Sequence, residues 1–212
     1  MTEKEYQQAW ENVSDINAHR VIDPEFMKKE NLYSCYDIAT SIFNLENASV
    51  LDIGCGGAFL GQYLFEKKKI RHYTGIDISK KSTLAAMNNL MKFDGDRYSI
   101  LLSDSKLLNL DALYTDILFC LSVIQHIPTK KYFNYFLKKI NNSFIPSLCL
   151  QIRAGDKTEF RENPYQKHAD ILYACITTEK DISKALSNYV LHSKTEVLDS
   201  GYQYLFYTLG DV

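Results

Sequence analysis

The run Val50-Leu51-Asp52-Ile53-Gly54-Cys55-Gly56-Gly57-Ala58-Phe59-Leu60 passes from an apolar strand through glycines into a helical pattern. Glycines at such a junction let a backbone approach a ligand closely at the carboxyl edge of a sheet. A Gly-x-Gly by itself is equally a tight turn with no ligand, so the neighbouring segments carry the weight. Asp77 ends the next apolar run, Tyr73-Thr74-Gly75-Ile76-Asp77-Ile78-Ser79, where a carboxylate can accept hydrogen bonds from both hydroxyls of a ribose. Asp104 ends a third run in Leu102-Ser103-Asp104-Ser105, placed to accept from an exocyclic adenine amine. Any one of these aspartates also reads as a cap or a solvated turn. Three successive strands that end in polar groups along one edge point instead to a shared nucleoside site.

Those residues need elements to hold them, and the order of elements is legible. Residues 2–18 and 24–43 read as helices, with Tyr6, Ala9, Trp10 and Val13 at helical spacing and Asp23-Pro24 as a helix start. From Ser49 onward strand and helix patterns alternate: strand Ser49–Ile53, helix Phe59–Lys68, strand Tyr73–Ile78, helix Lys80–Phe93, strand Tyr98–Ser103, strand Asp116–Leu121, helix Thr129–Asn142 and strand Leu148–Arg153. Alternation of this kind predicts a parallel sheet with helices on both faces. Tyr189–Leu198, the Asp199-Ser200-Gly201 turn and Tyr202–Leu209 read as a hairpin. The expected fold class is therefore α/β: a doubly wound, mostly parallel seven-stranded sheet with an antiparallel C-terminal hairpin strand and an N-terminal helical extension. No repeat or linker divides the chain, so 1–212 reads as a single domain, with 1–45 a helical cap and 46–212 the Rossmann-like core.

Composition narrows the functional classes. At 212 residues, with 46% hydrophobic and 24% charged residues, the chain has the balance of a globular protein and no membrane-spanning segment. The polar N-terminus carries neither a signal core nor a transit pattern, which gives a cytoplasmic expectation. Cysteines 35, 55, 120, 149 and 175 are scattered without CxxC spacing and read as reduced thiols rather than zinc ligands. A net charge of −2, with basic and acidic residues interleaved, disfavours a nucleic-acid partner.

The segments DIGCGG and GIDIS and the Asp104 turn resemble motifs of class I S-adenosylmethionine-dependent methyltransferases, a resemblance that runs from about Val50 to about His126. It implies S-adenosylmethionine as cofactor and S-adenosylhomocysteine as product. By position, Asp52 would face the methionine amino group, Gly54 and Gly56 would let the loop pass the cofactor, Asp77 would hold the ribose and Asp104 the adenine. Cys55, Ile78, Ser103, Ser105 and Leu121 would complete the cofactor's surroundings. The family often has glycine where this chain has Ala58. A nicotinamide oxidoreductase is the alternative on fold grounds, but its G-x-G-x-x-G fingerprint requires glycine at the position of Phe59. A non-catalytic cofactor-binding module is the other alternative, since fold does not fix chemistry.

The segment Cys120-Leu121-Ser122-Val123-Ile124-Gln125-His126-Ile127-Pro128 resembles the border between cofactor and substrate in small-molecule methyltransferases. It lacks the Asn/Asp-Pro-Pro-aromatic tetrapeptide of many base-amine methylating enzymes, and the chain lacks the acidic pair of magnesium-dependent catechol-type enzymes, so no metal is expected. Methyl transfer is an in-line displacement that needs alignment in a dry site, and a base only to unmask the acceptor. His126 is the candidate base, or else a residue that packs the start of the next helix. Gln125 and Arg153 are candidate contacts to a small-molecule acceptor such as a sugar, a nucleotide-linked intermediate or a phosphorylated metabolite. The polar stretch from Arg153 to Asp170 reads as a long loop, either a recognition segment or a solvated surface. Tyr6 and Trp10 on the N-terminal helix would either cover the cofactor or pack as core. Oligomeric state is not legible.

Overall fold

The computed structural model describes residues 3–16, 32–103, 110, 113–160, 174–197 and 201–210. They belong to two compact units, Met1–Ser105 and Lys106–Val212.

The first unit runs α1 (Glu3–Ile16), α2 (Leu32–Thr40), β1 (Ser49–Ile53), α3 (Phe59–Lys67), β2 (His72–Asp77), α4 (Lys80–Leu90) and β3 (Tyr98–Leu102). β2 lies between β1 and β3 and is parallel to both, with Ile53 opposite Ile76 and Asp77 opposite Leu102. Every residue of β1 is buried, as a strand covered on both faces requires. α3 is buried from Phe59 to Phe65, and its approach to the sheet depends on Gly61. A Cβ there would lie 2.8 Å from the Tyr73 ring, so only glycine lets the helix sit this low. α4 starts on Ser79, whose hydroxyl accepts the Ser82 N–H at 3.2 Å, a cap that contributes about 1 kcal/mol.

The second unit runs β4 (Ile117–Cys120), a 3₁₀ turn (Ile124–His126), α5 (Lys130–Asn141), β5 (Ser147–Arg153), β6 (Glu159–Phe160), β7 (Cys175–Ile176), α6 (Glu179–Ala185), β8 (Tyr189–Val197) and β9 (Tyr202–Leu209). β4 and β5 are parallel; β9 pairs antiparallel with β5 on one side and with β8 on the other. α5 buries Phe133, Phe136, Leu137 and Ile140, spaced for one helical face, and exposes Lys130, Lys131, Asn134 and Lys138. Lys138 and Lys139 in its last turn complement the helix dipole.

The protein thus has the expected α/β class: a seven-stranded, mostly parallel sheet with antiparallel C-terminal strands and helices around it. The helix expected over 24–43 is described only as Leu32–Thr40, residues 24–31 lying outside the described residues. The stretch read as a loop from Arg153 holds a short ladder instead. Glu159 and Phe160 pair with Ile176 and Cys175, and Ala154 bridges Thr177. Strands of two residues are too short to show a period, so the sequence pattern misses them. α6 also went unanticipated, because only Ile182 of its seven residues is buried. Its one readable signal is Thr178, which accepts the Asp181 N–H at 3.0 Å, with acidic Glu179 and Asp181 in the first turn. Among the described residues no helix is long and apolar enough to cross a membrane.

Candidate active site

In the first unit the glycine turn is shaped by its own backbone. Gly54 and Gly56 have φ of 74° and 51°, the left-handed region that favours glycine. The amides of Gly54 and Cys55 both donate to the Ile76 carbonyl, at 2.7 and 3.0 Å, which ties the loop to β2. Gly75 makes room for it, since a Cβ there would meet the Cys55 Sγ and the Ile100 Cδ1 at 2.9 Å. Ala58 also sits at φ 57° as the residue before α3. For a residue with a Cβ that conformation costs about 1–2 kcal/mol.

Asp77 connects the turn to the next helix. One carboxylate oxygen accepts the Gly56 N–H at 2.9 Å and the other the Ser79 N–H at 2.8 Å. Burial pushes its carboxyl upward, and the N–H bonds from Ser79 and Gly56 oppose that shift. Gly54, Gly56, Asp77 and Ile78 are half-buried, while the strands leading to them are buried, so the carboxyl ends of β1 and β2 form an accessible edge. Ser103 is buried, and its N–H donates to the Asp77 carbonyl at 2.8 Å. Asp104 and Ser105 lie outside the described residues.

Asp52 is more enclosed. It is 4% exposed and accepts the Tyr73 hydroxyl at 2.7 Å. Desolvation raises its carboxyl to about 7 against the Tyr73 hydrogen bond, with the nearby Asp77 charge adding to the rise. Cys55 is buried, and desolvation holds its thiol well above the ordinary range.

Two residues that the sequence pattern missed complete this side. Gln7 of α1 donates to the Ile78 carbonyl at 3.1 Å. Glu11 accepts the Ser79 hydroxyl at 3.0 Å and the Lys80 N–H at 2.6 Å, capping α4 from a helix 68 residues away in sequence. No local signal announces a cap supplied over that separation. Trp10 is half-buried on the same helix; the Tyr6 side chain lies outside what is described.

In the second unit the predicted residues fall on the segment that leaves β4. Leu121 is half-buried, and Ser122 comes next with φ 57°, a left-handed conformation at a non-glycine residue that costs about 1–2 kcal/mol. Its N–H and hydroxyl both donate to the Gln151 Oε1, at 2.7 and 2.9 Å, and the Gln151 Nε2 donates to the Tyr204 hydroxyl at 2.9 Å. Sequence reading gave Gln151 and Tyr204 no role, because strand residues at β5 and β9 read simply as core. Gln125 is 1% exposed, and its Oε1 has no hydrogen-bond partner among the described residues. His126 is buried, and desolvation lowers its imidazole to about 4. Arg153 ends β5 with its guanidinium 5.7 Å from the Tyr202 ring centre. An open cleft of about 510 Å³ near it is lined by Gly155, Lys157, Glu179, Asp181, Lys194 and Gln203. Its charges are partly self-neutralised, Lys194 pairing with Glu179 at 2.8 Å, and none of the predicted site residues lines it.

No curated protein sequence matches the chain. Among solved structures, it is similar to 1,6-didemethyltoxoflavin-N1-methyltransferase from Burkholderia thailandensis, solved with 1,6-didemethyltoxoflavin and S-adenosylhomocysteine. The TM-score is 0.67 at 18% identity, covering 100% of this chain and 92% of that one. It is similar to the N-methyltransferase NodS from Bradyrhizobium japonicum WM9, solved with S-adenosylhomocysteine, with a TM-score of 0.63 at 12% identity over 87% of this chain and 88% of that one. It is also similar to Sp1610 from Streptococcus pneumoniae, described as a putative tRNA (m1A22) methyltransferase, with a TM-score of 0.58 at 14% identity over 83% of this chain and 69% of that one. Identities this low speak to the fold alone. The family model that matches residues 44–187 is described as a methyltransferase domain. It spans the glycine turn, Asp77 and the Ser122–His126 segment, and the chain accordingly belongs to the methyltransferase-domain family, with the Rossmann-like fold of the class I S-adenosylmethionine-dependent enzymes.

Proposed function

We propose that the chain binds S-adenosylmethionine at the carboxyl ends of β1 and β2 and passes its methyl group to an oxygen or nitrogen of a small molecule. S-adenosylhomocysteine is the product. The observation that carries this reading is the Asp77 carboxylate, which spans the Gly56 and Ser79 amides at a half-buried strand end beside the glycine turn. Each carboxylate oxygen keeps a lone pair for a ribose hydroxyl. The donor set fits the cofactor further: the left-handed Gly54 and Gly56 carry no side chain, and Asp52 offers a buried carboxyl to an ammonium.

The bound cofactor supplies an activated methyl group on a sulfonium. The chain's own residues do the rest. Asp77 and the glycine turn orient it, and Gln7 and Glu11 anchor α1 over the β2–α4 turn, which supports a covering role for Trp10 and Tyr6. His126 is neutral at physiological pH and so is in the protonation state of a base. A base this weak supplies a modest part of the acceleration, and alignment of the acceptor supplies most of it. Gln125 offers the acceptor molecule a buried carbonyl oxygen with an open hydrogen bond, which favours a substrate that carries an N–H or O–H. Arg153 at the end of β5 would meet an anionic group. The low net charge supports a small molecule over a polynucleotide.

Titration calorimetry with S-adenosylmethionine, S-adenosylhomocysteine and NAD tests the cofactor; NAD binding in place of the other two would overturn it. A methyl-transfer screen over hydroxylated and amine metabolites, with bulk tRNA as a separate arm, tests the acceptor. Transfer to tRNA alone would overturn the small-molecule reading, and cofactor binding without transfer to any acceptor would point to a binding module.

A further inference from the structure

The end of β4 holds a polar linkage, running from the exposed Ser122 to the buried Gln151 and Tyr204, that no part of the cofactor reading uses. β5 continues past β4: Cys120 is level with Leu150, so Gln151 stands beside the point where β4 stops. Gln151 faces Tyr204 across the β5–β9 pairing, and both are buried, at 6% and 1% exposure. The amide therefore sits in the sheet interior with its orientation dictated. Its NH₂ end is taken by the Tyr204 hydroxyl, and its oxygen is turned to Ser122, where it accepts two hydrogen bonds. Ser122 is the residue that leaves the strand in a left-handed conformation. The segment from Val123 to His126 is short and closely tied: the His126 N–H donates to the Val123 carbonyl at 2.9 Å, and the Gln125 carbonyl accepts the Ala174 N–H at 2.8 Å.

A left-handed residue with a Cβ persists only where its surroundings over-determine it, and such residues cluster at sites whose geometry matters. We propose that Gln151, oriented by Tyr204, is a positioning residue for methyl transfer: by holding Ser122 left-handed it sets the direction in which Ser122–His126 leaves β4, and so the placement of Gln125 and His126. This rests on the methyltransferase reading above for its functional meaning, while the positional control itself does not.

The test compares Gln151→Met, which keeps the volume and removes both polar ends, with Gln151→Glu. A neutral buried carboxyl supplies the same acceptor to Ser122 and the same donor to Tyr204, so Gln151→Glu should behave as the parent protein. Three measurements apply to each: the NMR titration of the His126 imidazole, assigned by its loss in His126→Gln; amide exchange of the peptide covering residues 121–127; and S-adenosylhomocysteine affinity by calorimetry. In Gln151→Met the His126 titration should rise by at least one pH unit from about 4, exchange should quicken at least tenfold, and affinity should change less than twofold. A folded Gln151→Met with His126 titration and exchange unchanged overturns the proposal, as does a Gln151→Glu that behaves like Gln151→Met. Should Gln151→Met fail to fold, Tyr204→Phe carries the test with a smaller shift in the same direction, and no shift there overturns the proposal. If the parent protein binds no S-adenosylhomocysteine while His126 still moves, the cofactor reading fails and the positional control stands.

Discussion

Asp52 makes the protein's stability depend on pH in a direction opposite to that of most paired carboxylates. Desolvation raises it from 3.8 to about 7, partly offset by the Tyr73 hydrogen bond. In that window the native state keeps a proton that the unfolded chain has released, so stability falls as pH rises and levels off above about 7. Each pH unit is worth about 1.4 kcal/mol. About two of those units lie between pH 5 and the folded value of about 7, so roughly 3 kcal/mol separates the two ends. Asp52→Asn removes the titration while leaving an oxygen for the Tyr73 hydroxyl. It should therefore be more stabilising at pH 8 than at pH 5 by about 3 kcal/mol, read from urea unfolding with the slope unchanged. An effect of the same size at both pH values refutes the reasoning, because it would mean that the carboxyl does not change protonation on unfolding. If a cofactor ammonium approaches this carboxyl, binding at pH 6.5 should release up to about three-quarters of a proton from the parent protein and none from Asp52→Asn. Calorimetry in two buffers of different ionisation heat measures that difference.

Asp77→Ala should weaken S-adenosylhomocysteine binding by about 1.5–3 kcal/mol, the worth of a charged hydrogen bond, and calorimetry reading the parent affinity would remove Asp77 from the site. His126→Gln should slow turnover while leaving cofactor affinity within about twofold; a fully active variant removes it as base. Because burial lowers His126 from 6.5 to about 4, its contribution to stability is present above 6.5 and is lost as pH falls toward 4, so His126→Gln should also flatten the acid side of the stability profile. Gly75→Ala should destabilise by about 1–3 kcal/mol, since the new methyl must displace the Cys55 Sγ and the Ile100 Cδ1 from 2.9 Å. Thermal unfolding of Gly75→Ala indistinguishable from the parent would refute that packing.

The longer strands were legible in the sequence because each is a mostly apolar run, and Gly54 and Asp77 mark where β1 and β2 end, whereas the two-residue β6 and β7 show no such run. The same runs announced the glycine turn and Asp77, for the backbone there has few alternatives: Gly54 and Gly56 take up a conformation that most residues resist. The hairpin of β8 and β9 was legible for a similar local reason, a turn flanked by strand formers. What the sequence could not disclose depends on partners far apart along the chain. Glu11 caps α4 from 68 residues away, Gln151 reaches Ser122 across 29, and Tyr204 reaches Gln151 across 53. A helix pattern reports which face of α1 is apolar, and nothing in that pattern says which distant amide its glutamate will meet. The shifted carboxyl of Asp52 and imidazole of His126 are also tertiary properties. Desolvation is a property of the whole surrounding fold, and it exists only once the chain has closed around the group.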